Sequence, residues 1–394
     1  MKEFLEGSKA VAEIVKLCKP GVISAYPITP QTHIVEELAQ MVANRELNSQ
    51  FINVESEHSA ASVVLGAVAG GVRAYTATSS QGLFYMAEVL FNIAGMRLPL
   101  VMACANRAIS APINIWNDQQ DSVSLRDCGW IQLFAEDIQE AADLHLIAYK
   151  LTEDKSIMLP VMVCMDGFIL THGIETVDMP SQEQVDKFLP AYKPLYKLDP
   201  ENPITMGPLV DPVYYMEARY AIQETMVKNV LTLIPKITAD FSKVFGRAYN
   251  GLVEEYRTKD AERVILAMGS VCGTIKEVID ELRAKGKKVG LLKLTAYRPF
   301  PVQEIYEALK DIPKVAVLDR ALSLGSYAPL ASETKAVFFG KKKKPEVISS
   351  FVVGLGGRDI TKDSIKEIFR LLTAKERACE FIDLKPELLK ENYE

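Results

Sequence analysis

Residues 51–82 read FINVESEHSAASVVLGAVAGGVRAYTATSSQG. Phe51–Val54 is a short β-rich run, Ser59–Ala69 an Ala- and Val-rich stretch of helical length, and Arg73–Ala77 a second β-rich run. Strand, helix and strand in so short a span close most simply as a right-handed crossover between parallel strands. Polar residues gather after each β-rich run, in Glu55-Ser-Glu-His58 and Thr78-Ser-Ser-Gln-Gly82. The carboxyl ends of the strands are where open parallel sheets bind ligands.

The alternation continues on both sides. Strands are expected at Val22–Tyr26, Pro99–Ala103 and Leu159–Met165, and helices at Ser8–Leu17, Ile34–Asn44, Leu83–Ala94 and Gln139–Thr152. Between Pro180 and Pro212 the pattern lapses into a Pro-studded excursion, and a helical segment from Tyr215 to Phe245 follows, with an interruption expected near Pro235. A second series starts at Arg263, with strands expected at Val264–Met268, Val289–Leu294, Val315–Leu318 and Val347–Val353. Helices are expected there at Thr274–Ala284, Val302–Leu309, Ala331–Phe339 and Lys362–Leu372. The fold class is α/β, with a first domain over 1–245, including the excursion and connecting helix of 180–245, and a second over 263–394.

The 394 residues, 48% of them hydrophobic, suffice for a sizeable core in each domain. Lys and Arg number 45 against 51 Asp and Glu, a formal charge of -6, so neither nucleic acid nor an anionic membrane is an expected partner. The start, MKEFLEGSKAVAEIV, carries charges through its apolar positions, unlike a signal peptide, and no apolar run reaches the ~18 residues of a membrane span. A cytoplasmic protein is expected. The cysteines at 18, 104, 128, 164, 272 and 379 have no C-x-x-C spacing, and His33, His58, His145 and His172 form no H-x-x-x-H pair. No metal site is therefore expected on this chain, and any redox centre is expected on another. The Lys341–Lys344 run reads as a solvated loop.

Four polar loops follow the strands of the first domain: Tyr26-Pro-Ile-Thr-Pro30, Glu55–His58, Thr78–Gly82, and Asn106-Arg107 running on to Asn114–Asp121. Arg107 is the cation near the start of a loop, which suits a carboxylate ligand, although an arginine taken alone is more often part of a surface ion pair. Thr29 lies in a loop stiffened by Pro27 and Pro30, and by itself is also a plausible helix N-cap before Ile34. Glu55 and Glu57 each suit a helix N-terminus as well as a site. Asp118 and Asp121 either order Arg107 or cap the helix that follows.

The segments YPITP (26–30), ESEHSA (55–60), TATSSQG (76–82), NRAISAPINIWNDQQD (106–121), LTAYRPFP (294–301) and FVVGLGGRD (351–359) together span most of the chain. In order and spacing they resemble the alpha chain of the pyruvate:ferredoxin oxidoreductases and their branched-chain relatives, within the 2-oxoacid:ferredoxin oxidoreductase family. The resemblance implies a thiamine-diphosphate-binding fold, with a pyrimidine-type parallel-sheet domain followed by a transketolase C-terminal-like α/β domain. It implies coenzyme A-dependent oxidative decarboxylation of pyruvate to acetyl-CoA and CO2, with electrons passed to ferredoxin. Glu57, in Ser56-Glu57-His58-Ser59, falls on the family's catalytic, cofactor-binding carboxylate, with Glu55 as its competitor. A carboxyl hydrogen-bonded to the aminopyrimidine ring promotes the imino tautomer that activates the thiazolium carbon. Thr29 and Arg107 fall on the substrate-binding positions.

The resemblance also divides the labour between chains. No G-D-G-type segment with an Asn roughly 30 residues on is present to hold Mg²⁺ and a diphosphate. Both are therefore expected on the beta subunit, the iron–sulfur (4Fe–4S) clusters on the beta and delta subunits, and a gamma subunit completes the hetero-oligomer. Three rivals stand beside this reading. One is the 2-oxoisovalerate enzyme of the same family. Another is a thiamine-dependent carboligase without redox partners, which YPITP and NIWNDQQD disfavour. The third is a non-catalytic scaffold, against which Glu57, Thr29 and Arg107 together argue.

Overall fold

The computed structural model describes residues 2–372 and 375–390; positions 373–374 and 391–394 of the expected second domain lie outside the described residues. Two compact units emerge, Met1–Glu254 with Leu294–Pro301, and Glu255–Lys293 with Val302–Glu394. Leu294–Pro301, read from sequence with the second domain, thus belongs to the first unit. Its strand Ala296–Arg298 pairs antiparallel with Ile131–Phe134.

The strands of the first unit are β1 (Lys2–Glu6), β2 (Val22–Ala25), β3 (Gln50–Asn53), β4 (Ala74–Thr78), β5 (Val101–Asn106), β6 (Ile131–Phe134), β7 (Val161–Asp166) and β8 (Ile174–Asp178). Its helices include α1 (Gly7–Cys18), α2 (Thr32–Ala43), α3 (Glu57–Ala69), α4 (Ser80–Tyr85), α5 (Ala87–Gly95), α6 (Gln120–Ser124) and α7 (Ile138–Thr152). β1 and β8 form a separate antiparallel pair. The main sheet runs Ala296–Arg298, β6, β7, β5, β4, β2, β3, and β2 to β7 are mutually parallel. From β2 the chain steps outward to β3, then returns to the other side of β2 as β4. This reversal opens a crevice at the carboxyl ends of β2 and β4, the place where open α/β sheets bind ligands.

Burial explains why these segments form. β4, β5, β6 and β7 are buried at every position, as strands covered on both faces must be. α3 presents Ala60, Ala61, Val64 and Val68 to the interior and lies against β2 and β4, where its short side chains permit close approach. Ser56 caps it by accepting the Ser59 N–H at 3.2 Å. α7 is buried along nearly its whole length and packs on α1, β5 and β7.

Three local expectations shift. The segment expected as one helix, Leu83–Ala94, is two, α4 and α5, hinged at Met86. Strand β6 went unread because four residues after Gly129-Trp130 carry too little period. The interruption expected at Pro235 lies upstream, as a π-helical turn over Thr225–Val230 between the helices Pro212–Glu224 and Leu231–Phe245. Pro235 itself lies inside the second of these helices, in the turn that follows the wider one.

In the second unit a six-stranded sheet is ordered Glu380–Phe381, Val347–Val352, Lys314–Asp319, Arg263–Ala267, Val289–Leu294, Val253–Tyr256. Its core joins Ile265, Leu291, Ala316 and Phe351 to the helices Val271–Ala284 and Lys362–Leu371. The Gly354–Gly357 segment is a tight turn, with Gly354, Gly356 and Gly357 at φ 62°, 61° and 80°. Among the described residues no helix is long and apolar enough to cross a membrane.

Candidate active site

The loops at the crevice converge. Glu57, the first residue of α3, is buried, whereas Glu55, two residues earlier, is exposed and accepts the hydroxyl of Ser59. That hydrogen bond holds the Glu55 carboxyl below its ordinary range. The turn into α3 therefore separates the two acids, sending one outward and one into the crevice. There the Glu57 carboxylate lies against Gly82 of α4: a β-carbon built on Gly82 would stand 2.6 Å from Glu57 Oε1 and 2.6 Å from Thr78 Oγ1. Glycine at 82 is thus a condition for the carboxylate's position. Thr78 Oγ1 and Gln81 Nε2, on the same turn, are buried without a hydrogen-bond partner. A carboxylate with unpaired donors beside it fits a polar, hydrogen-bonding ring such as an aminopyrimidine.

Arg107 leaves the end of β5 and is 7% exposed. Its Nη1 donates to the carbonyl of Thr29 at 3.0 Å and its Nε to the carbonyl of Asn114 at 3.0 Å. No carboxylate pairs with it among the described residues, so the surface ion pair does not describe it. Desolvation lowers its pKa, with the charge of Asp121 opposing the shift. The structure therefore brings Thr29 and Arg107 together, through the Thr29 carbonyl, and Thr29 itself is exposed. Thr29 is not a helix cap either, because α2 begins at Thr32 with Gln31 as its N-cap.

Asp118 and Asp121 divide the two roles left open from sequence. Asp118 accepts the Gln120 N–H at 2.9 Å, at the start of α6. Asp121, fully buried, accepts the backbone N–H of Arg107 at 3.0 Å and of Ser80 at 3.0 Å, the Asn106 Nδ2 at 2.8 Å and the Ser122 N–H at 2.8 Å. Burial raises its pKa to about 6 against the lowering effect of these donors. A residue that sequence reading missed is Gln31, wholly buried. Its Oε1 accepts the Ile28 N–H at 3.2 Å and its Nε2 donates to the Ala77 carbonyl at 2.7 Å, tying the Thr29 loop to β4. The role of Gln31 has no sequence signal, since it joins segments far apart in the chain, and for Asp121 the bond to Ser80 is the part that sequence does not reveal.

The histidines, unpaired by spacing, partly meet in space. His33 and His172 lie with Glu6 so that their potential ligand atoms fall within 4.8 Å of one another. His33 Nδ1 bonds to Glu6 at 2.6 Å and His172 Nδ1 to Thr171 Oγ1 at 2.7 Å, so both rings already have protein partners.

Residues 13–235 match the family model described as pyruvate flavodoxin/ferredoxin oxidoreductase, thiamine diP-bdg, and residues 261–365 that of pyruvate:ferredoxin oxidoreductase core domain II. The chain belongs to the pyruvate flavodoxin/ferredoxin oxidoreductase family. It is 52% identical to the pyruvate synthase subunit PorA of Methanothermobacter thermautotrophicus, over 98% of this chain and 99% of that one. It is 44% identical to the ketoisovalerate oxidoreductase subunit VorA of Pyrococcus horikoshii, over 93% of each chain. Among solved structures it is similar to a 2-oxoglutarate:ferredoxin oxidoreductase from Magnetococcus marinus, with a TM-score of 0.72 at 19% identity, covering 94% of this chain and 65% of that one. At that identity the likeness establishes a shared fold.

Proposed function

We infer that this chain is the alpha subunit of a pyruvate:ferredoxin oxidoreductase, which converts pyruvate and coenzyme A to acetyl-CoA and CO2 and passes the electrons to ferredoxin. The observation that carries the reading is the 52% identity, nearly end to end, with a pyruvate synthase subunit. The ketoisovalerate oxidoreductase subunit stands lower, at 44%, which favours pyruvate over the branched-chain substrate.

The crevice gives the reading its chemistry. Thiamine diphosphate, when bound, supplies the nucleophilic carbon that adds to the keto group of a 2-oxoacid. Glu57, fixed against Gly82, holds a proton toward the aminopyrimidine nitrogen, with Thr78 and Gln81 offering further hydrogen bonds to the ring. Arg107 pairs with the substrate carboxylate: two of its N–H groups fix it to the loop carbonyls, and the others remain for the ligand. The exposed hydroxyl of Thr29 adds a hydrogen bond to that carboxylate.

A partner chain completes the site. Tyr26, Phe84, Tyr85, Ile113 and Trp116 are exposed on the loops and helix that carry these residues, and such an apolar rim is suited to burial by another subunit that excludes water. In this reading the beta subunit brings the diphosphate and Mg²⁺ ligands, beta and delta carry the iron–sulfur clusters, gamma completes the complex, and the whole is cytoplasmic.

Co-purification of this chain with its partner subunits, followed by assay of ferredoxin reduction, tests the proposal. Reduction should require pyruvate and coenzyme A, with 2-oxoisovalerate at least ~10-fold poorer in kcat/KM, about what a side-chain pocket achieves. Faster turnover of 2-oxoisovalerate, or no reduction with either acid, would contradict it.

A further inference from the structure

We propose that Asp121 is a positioning residue for the 2-oxoacid site: its buried carboxylate sets the Arg107 loop and the turn beneath Glu57 in register with each other. The proposal rests on the pyruvate reading for its assay, and on the hydrogen bonds of Asp121 for its content.

The two oxygens of Asp121 serve four N–H donors, and the Cys104 thiol adds a longer contact to Oδ2 at 3.7 Å. Oδ2 accepts the backbone N–H of Ser80, in the turn after β4, and that of Arg107, just after β5. Oδ1 accepts the Asn106 side-chain amide and the Ser122 backbone N–H. Ser80 opens α4, Asn106 ends β5, Arg107 follows it and Ser122 lies in α6, all at the rim of the crevice, and no basic side chain forms an ion pair with the carboxylate among the described residues. Such a group is held chiefly by oriented dipoles, with the nearby Arg107 charge adding to them, and the segments are held by it.

The Ser80 contact matters most. Ser80 has φ 50°, a left-handed conformation that is unfavourable for a residue with a side chain and persists only where neighbours enforce it. Its N–H is fixed by Asp121, and its hydroxyl donates to the Ala108 carbonyl at 2.5 Å, one residue beyond Arg107. That turn delivers Gly82 against the Glu57 carboxylate. One acid therefore couples the placement of the residue proposed to meet the substrate carboxylate with that of the residue proposed to meet the cofactor. Asp121 bonds to the backbone of Arg107, and neither the Arg107 guanidinium nor the Glu57 carboxylate is among its hydrogen-bond partners.

Asp121→Ala removes the acceptor that the N–H groups of Ser80 and Arg107 share, which Asn could retain by keeping its amide oxygen in the Oδ2 position, so the tie between the two segments is lost. In the assembled complex the variant should raise the KM for pyruvate about 10-fold or more and lower kcat, as small misplacements of positioned groups do, with the KM for coenzyme A unchanged. Combined with Arg107→Lys it should show strong non-additivity, since both changes loosen one unit. A merely structural role predicts a lower melting temperature and fewer active complexes, with the pyruvate KM at the wild-type value and additive effects; that outcome overturns the proposal. If the variant does not accumulate, Asn106→Ala removes a single donor from Oδ1 and is read in the same way: a raised pyruvate KM supports positioning and an unchanged one refutes it. Wild-type complex inactive with pyruvate would instead refute the functional reading, and the two failures are distinguishable.

Discussion

Asp121 in the first unit and Asp319 in the second are both buried aspartates at the carboxyl edge of a parallel sheet, and they do different work. Asp319 ends the strand Lys314–Asp319 and accepts the N–H groups of Leu330 at 2.7 Å and Ala331 at 3.0 Å. It thereby caps the helix Pro329–Val337, whose own N-cap residue, Ala328, has no side chain able to do so. Asp121 instead joins two loops that carry candidate site residues. Burial raises both pKa values, to about 6 for Asp121 and about 7 for Asp319. The order is physical, because the acid with more donors is the better stabilised anion. A cap serves one helix, whereas a carboxylate shared between loops fixes geometry across a crevice.

If the first edge is the site, the largest effect separating the two should come from Arg107. Arg107→Lys replaces a fork held by two carbonyls with one point charge on a flexible stem. Losing a charged contact in a dry site costs roughly 2–4 kcal/mol, or about 30-fold to 10³-fold in kcat/KM for pyruvate. Steady-state kinetics of the complex would reveal this, and a value within a few-fold of wild type would remove Arg107 from the site.

The smaller effect belongs to Asp319 and should appear in stability. Its carboxyl is protonated in both folded and unfolded chain well below its ordinary value of 3.8. As pH rises the unfolded chain ionises first, so this group's contribution to stability falls progressively and the loss is complete above about 7. Asp319→Asn cannot ionise and lacks that slope. The melting temperature of the variant relative to wild type should therefore rise between pH 4 and pH 7. A difference that stays constant with pH would show that Asp319 does not titrate as its burial implies.

How far the sequence revealed these edges depends on separation along the chain. Strand–loop–helix alternation located all four polar loops, since each is local, and family motifs supplied roles for Glu57, Thr29 and Arg107. The choice between Glu55 and Glu57 needed the turn at Ser56, which aims one acid inward. Asp121 was legible as a residue that orders Arg107 or caps a helix, but its bond to Ser80 across 41 residues was not, and Gln31, which bonds across 46 residues, was opaque altogether. The return of Leu294–Pro301 to the first unit was hidden for the same reason, as a short antiparallel edge strand has no local signature of the sheet it joins.

The central claim is that the crevice of the first unit, with Glu57 at its base, forms the cofactor-activating half of a thiamine diphosphate site. Glu57→Gln tests it most directly, because it preserves size and burial while removing the proton-transfer group. In the assembled complex, turnover should fall by about 10²-fold or more with subunit assembly intact. Turnover within a few-fold of wild type would contradict the claim and move attention to Glu55.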